Sequence, residues 1–202
     1  FDLPILGAVN YKYYPKTDGV KNADNNASGQ AAAGAGSTKG SGSSLSIKTA
    51  AGDLPVVGSY LDGLTITTGY SEVDHSAVAS VDDAYDLTYA LNYNVGAFKL
   101  GYQRKLHNEG EGAAATTDAV WYKDTIYGIA YAVNDNFSIS YNRYESYKHN
   151  NTGAPDQETD AFNIGYTVGG MTIGFQEAGT DNANHSAGAE DDTRTIGISV
   201  AF

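Results

Sequence analysis

Residues 193–202 read Thr-Arg-Thr-Ile-Gly-Ile-Ser-Val-Ala-Phe, and they alternate. Ile196, Ile198, Val200 and Phe202 fall on one face, with Thr195, Gly197, Ser199 and Ala201 on the other. Side chains of a strand point to opposite faces in turn. A row of branched and aromatic groups backed by a row of tiny or polar ones suits lipid on one side and water on the other.

The same rhythm recurs upstream. Phe162, Ile164, Tyr166 and Val168 oppose Asn163, Gly165 and Thr167; after Gly169-Gly170, Met171, Ile173 and Phe175 oppose Thr172, Gly174 and Gln176. Before that, Tyr127, Ile129 and Tyr131 alternate with Gly128, Ala130 and Ala132, and Asn134-Asp135-Asn136 turns the chain into Phe137, Ile139 and Tyr141. Tyr85, Leu87, Tyr89, Leu91, Tyr93 and Val95 alternate with Asp86, Thr88, Ala90, Asn92 and Asn94, and a turn at Gly96 leads into Phe98, Leu100 and Tyr102. Leu64, Ile66, Thr68 and Tyr70 form another such row. Residues 54–60, before a turn at Asp62-Gly63, and residues 5–14 extend the series to about ten strands.

Connections alternate between tight turns (near 95, 135 and 169) and longer polar loops (about 107–118, 149–159 and 179–191). Short turns on one side and long loops on the other are expected of a membrane barrel. The run 15–44, with QAAAGAGSTKGSGSS inside it, is too poor in bulky apolar residues to bury a core and reads as a long low-complexity outer loop. The predicted fold is therefore all-β: a transmembrane antiparallel β-barrel, with 1–202 as a single domain.

Composition narrows the alternatives. The chain of 202 residues has 24 Gly, 16 Tyr, 18% charged residues and no Cys. No stretch approaches the roughly 18 to 20 continuous apolar residues of a membrane helix, a test that barrel strands escape because half of each is polar. A net charge of −12 with only 12 Lys and Arg excludes nucleic acid as a partner. Lack of Cys excludes thiolate metal sites and Cys nucleophiles. An opening at Phe1 rather than Met is expected of a processed or partial chain.

The polar rows are small: Thr67, Ala90, Gly101, Gly128, Ala130, Ser140, Gly165, Gly174 and Gly197 cannot fill a closed barrel. An interior of about eight to ten strands is just wide enough to be packed by side chains, whereas about 16 to 18 leave an aqueous channel. A soluble β-sandwich is disfavoured, because its outer face would carry more Lys and Glu than these rows do.

The alternating strands, Gly/Asn turns, aromatic-rich apolar rows and final Phe202 resemble a general porin of the Gram-negative outer membrane, of alphaproteobacterial type, over about residues 54–202. The resemblance implies that this sequence is the C-terminal part of a barrel of about 16 strands. It also implies passive diffusion of small hydrophilic solutes and ions through a water-filled lumen, a homotrimer, outer-membrane lipid and lipopolysaccharide as partners, and no enzymatic activity. The alternative reading is a structural or adhesive surface barrel that acts through its acidic loops.

Midstrand charges on the polar rows, Lys12, Asp86, Lys99, Lys105 and Asp124, are the candidate pore-lining residues; their mixed signs give no ion preference. Tyr60, Tyr93, Tyr131 and Phe137 beside tight turns, and Trp121 at the far end, predict interfacial aromatic girdles. His75, His107, His149 and His185 fall near long loops with many acids, and Glu190, Asp191 and Asp192 are candidate Ca²⁺ ligands or bridges to lipopolysaccharide. No other cofactor is expected. There is no G-x-S-x-G or phosphate-cradling loop; His107 and Ser146 at one rim are the nearest approach to hydrolytic residues.

Overall fold

A computed structural model describes residues 2–3, 7–15, 41–54, 60–74, 83–108, 120–149 and 153–200. Among these residues eleven strands form one sheet in sequence order: β1 (Asp2–Leu3), β2 (Gly7–Tyr14), β3 (Gly42–Ala50), β4 (Leu64–Val73), β5 (Ala84–Val95), β6 (Phe98–Asn108), β7 (Trp121–Asn134), β8 (Phe137–His149), β9 (Gln157–Val168), β10 (Met171–Asp181) and β11 (Glu190–Val200). Every neighbouring pair is antiparallel. Among the described residues, β1 and β11 are the free edges of the sheet. None of these residues lies in a helix long and apolar enough to cross a membrane, which has no bearing on crossing by strands.

Turn chemistry sets the hairpins. Val168 pairs with Met171 across Gly169 and Gly170, both with positive φ (54° and 82°), the backbone that a two-residue type I′ turn demands. The β7–β8 turn is built differently. Neither Asp135 nor Asn136 has positive φ, Asn134 Oδ1 accepts the Asn136 N–H at 2.9 Å, and a bulge between Ala132 and Asn134 absorbs the mismatch in twist.

One strand lies elsewhere than the sequence pattern places it. The partner of β2 and β4 is Gly42–Ala50, not residues 54–60. Leu54 follows a 3-10 turn at Ala51–Asp53, Tyr60 is outside any strand, and 55–59 lie outside the described residues. The low-complexity segment therefore gives way to β3 at Gly42, short of the boundary at 44. The signal was faint because only Leu45 and Ile47 of β3 are bulky; Ser43 and Thr49 complete the row.

Packing has no dry centre. Among the described residues only Gly42, Ala51, Ala84 and Ser146 are buried. Leu87, Tyr89, Leu91, Ile129, Phe162 and Tyr166, all on one face of the sheet, are 37–43% exposed. A soluble sandwich of this size would interlock these residues against a second sheet.

Rings cluster at both ends of that apolar face. Phe98 and Tyr131 lie 4.7 Å apart at the tight-turn end, near Tyr93 and Phe137. At the other end Trp121 stacks on His149 at 5.1 Å and meets Tyr147 at 5.4 Å.

Candidate functional site on the polar face

Strand register places Lys12, Asp86, Lys99, Lys105 and Asp124 on the polar face, as their parity predicts. Three of them converge. Lys105 lies opposite both Thr88 and Asp124, and its Nζ reaches across to Asp86 Oδ1 at 3.0 Å. His107 Nδ1 meets the same oxygen at 2.7 Å, and Ser71 Oγ donates to the other at 3.4 Å. Asp124 Oδ1 accepts from Ser146 Oγ at 2.7 Å and from Tyr144 OH at 3.1 Å. Lys12 stands apart on β2 opposite Ser44, and Lys99 near the tight-turn end opposite Asn94.

Around Lys105 and Asp124 opens a cavity of about 430 Å³, lined also by Tyr122, Ser146, Lys148 and His185. Towards the tight turns a second hollow of about 300 Å³ lies over Ala90, Gly101, Gly128 and Ala130. Small side chains on the polar face therefore leave space.

The cavity's far wall is the β10–β11 loop, folded down onto the sheet. Asn182 Nδ2 donates to the Asp156 carbonyl at 3.0 Å, and the Asn184 N–H to Gln157 Oε1 at 2.8 Å. His185 Nδ1 lies 3.1 Å from the Pro155 carbonyl, which can only accept, so that nitrogen carries the proton; Nε2 faces Ser146 Oγ at 3.3 Å. Asn182, Asn184 and His185 all have positive φ (51°, 56° and 57°). Such backbone costs of order 1 kcal/mol per residue, and these hydrogen bonds offset it.

Ser146, His185 and Asp124 do not reproduce a nucleophile relay. The carboxylate binds the serine instead of the histidine, and Ser146 is only 2% exposed. His107 pairs with Asp86, and Ser146 with Asp124 and His185.

Residues proposed as Ca²⁺ ligands are not brought together. Glu190 and Asp192 lie on the apolar face and Asp191 on the polar face, since neighbours on a strand diverge. Glu72, Asp74 and Asp83 do converge, with carboxylate oxygens within 4.8 Å of one another, Ser41 Oγ donating to Asp74 and Tyr70 OH to Glu72. His75 lies outside the described residues, and His149 belongs to the aromatic cluster with Trp121.

Charges also occupy the apolar face, at its long-loop end. Arg143 Nε meets Glu145 at 3.0 Å and its Nη1 meets Asp160 at 3.2 Å, with Glu158 as third partner; Arg194 pairs with Glu177. Tyr127 OH donates to Glu145 and Tyr141 OH to Asp160. Sequence periodicity missed Tyr122, Tyr144, Lys148 and His185. The first three share the parity of Asp124 and Ser146, but their strands run further than the apolar alternation does.

Asp124→Ala strands the Ser146 and Tyr144 hydroxyls without their acceptor. It is expected to destabilise the folded protein by about 1–3 kcal/mol, and Asp124→Asn by less than half as much. Urea titrations of the variants folded in lipid vesicles check this.

No protein-family model and no curated protein matches this chain.

Proposed function

We propose that this sheet is part of the wall of a bacterial outer-membrane diffusion porin, passing small hydrophilic solutes and ions across a water-filled lumen. The observation that carries the reading is the inversion of the usual order. Among the described residues large apolar side chains stand about 40% exposed on one face, small polar ones line most of the other, and almost nothing is buried between. Lipid against the first face removes the exposed apolar area from water, and a lumen keeps the second hydrated. The aromatic clusters at both ends of the apolar face fit the two membrane interfaces.

Ten long strands closed alone would make a narrow interior for side chains to fill, and Gly101, Gly128, Gly174 and Gly197 fill nothing. In this reading further strands join at the free edges, widening the wall toward about 16 strands, and three such barrels associate. The native protein, purified with the complete wall, is expected to give discrete conductance steps in planar bilayers. Bilayers that stay silent at high protein load would refute the channel.

A further inference from the structure

The two faces of the sheet differ in charge as well as in polarity. On the polar face of the described strands stand Lys12, Lys48, Lys99, Lys105 and Lys148, against Asp86, Asp124 and Asp191. The apolar face carries the reverse excess. Eight acids, among them Glu145, Glu158, Asp160 and Glu190, outnumber the four bases Arg104, Lys123, Arg143 and Arg194. The formal charge of −12 therefore does not describe the polar face.

Pairing sharpens the difference. Of the polar-face lysines only Lys105 has a carboxylate within salt-bridge distance among the described residues. Lys148 lies over the Tyr122 ring at 5.4 Å, which leaves its charge uncancelled. Of the acids of that face, Asp86 is paired with Lys105, and Asp124 accepts two hydroxyls that orient its carboxylate without cancelling its charge. Lys105 and Lys148 meet Asp124 at the 430 Å³ cavity beneath the β10–β11 loop, and the face as a whole keeps five lysines against three aspartates. Cationic groups concentrated along a confined aqueous path raise the local concentration of anions and lower that of cations.

We propose that the polar face selects small anions, and that Lys148 and Lys105 at this cavity, with Lys99 nearer the tight turns, set the preference. The inference rests on the channel reading. Within it, the solutes favoured are inorganic anions and small organic ones with a carboxylate or phosphate group.

The test is the zero-current potential of the reconstituted protein across a KCl gradient. The wild type is expected to show the sign of chloride permeating faster than potassium. Lys148→Glu and, separately, Lys99→Glu each replace a positive charge by a negative one within a Debye length of the path, and each is expected to lower the chloride-to-potassium ratio about three-fold. Lys123→Glu, on the apolar face, is expected to leave the ratio unchanged. Channels with the potassium sign in the wild type overturn the anion preference and leave the porin standing. A preference that persists when both Lys148→Glu and Lys99→Glu fold and conduct removes these lysines as its source. Absence of any conductance overturns both readings.

Discussion

Leu91→Arg is expected to cost the folded protein about 2–4 kcal/mol in a lipid bilayer if, as proposed, its face of the sheet meets lipid, the penalty for a cation there. Leu91 sits on the apolar face between Ile66 and Tyr102, and is 40% exposed. The adjacent Ala90→Arg places the same group on the polar face, over the 300 Å³ hollow. It is expected to fold nearly as well as wild type and to reduce conductance by crowding the path. Folding into phosphatidylcholine vesicles, followed by urea titration, measures the first effect, and single-channel recording the second. If water bathed both faces, an exposed Leu→Arg change would stay within about 0.5 kcal/mol, and the two-environment account would be lost.

Gly63→Val is expected to destabilise by about 2–4 kcal/mol. Gly63 closes the turn before β4 with φ +83°, and its carbonyl accepts the Asn94 N–H at 3.0 Å. An added Cβ would lie 2.2 Å from the Asn94 carbonyl oxygen, a backbone atom that cannot swing away. Conformation and space therefore act together. Gly96→Ala isolates one of them, because φ there is +55° but a Cβ meets nothing within 4 Å, and its cost is expected near 1 kcal/mol. Equal losses at the two sites, measured by the same urea titrations, would show that the contact with Asn94 contributes nothing.

How far the strands were legible follows from what lies on their apolar face. Near the tight turns the row reads Phe137, Ile139, Tyr141 on β8 and Val168, Tyr166, Ile164, Phe162 on β9, and the alternation is plain. Beyond Tyr141 the same face continues as Arg143 and Glu145, opposite Asp160 and Glu158. Both faces are then polar and the period-two contrast disappears, although the hydrogen-bonded ladder runs on to His149. The apolar alternation fades near 103, 142 and 176, whereas the strands run on to Asn108, His149 and Asp181, close to where the loops are expected to begin at about 107, 149 and 179. The cavity lies in this unreadable stretch. Lys105 and Asp124 were legible by parity, whereas Tyr144, Lys148 and His185 depend on pairings in the extended ladder and on a loop.

Sequence alone determined that the chain is antiparallel β with one apolar and one small polar face, and where three of its hairpins turn, because side-chain alternation and Gly or Asn turn chemistry are local properties. Tertiary structure decided which segment is the third strand, which charges neutralise one another, and that the β10–β11 loop closes a cavity over Lys105, Lys148 and Asp124. Those are contacts between residues far apart in the chain, whose partners are chosen by register and by the return of a loop onto the sheet, and no local pattern encodes either.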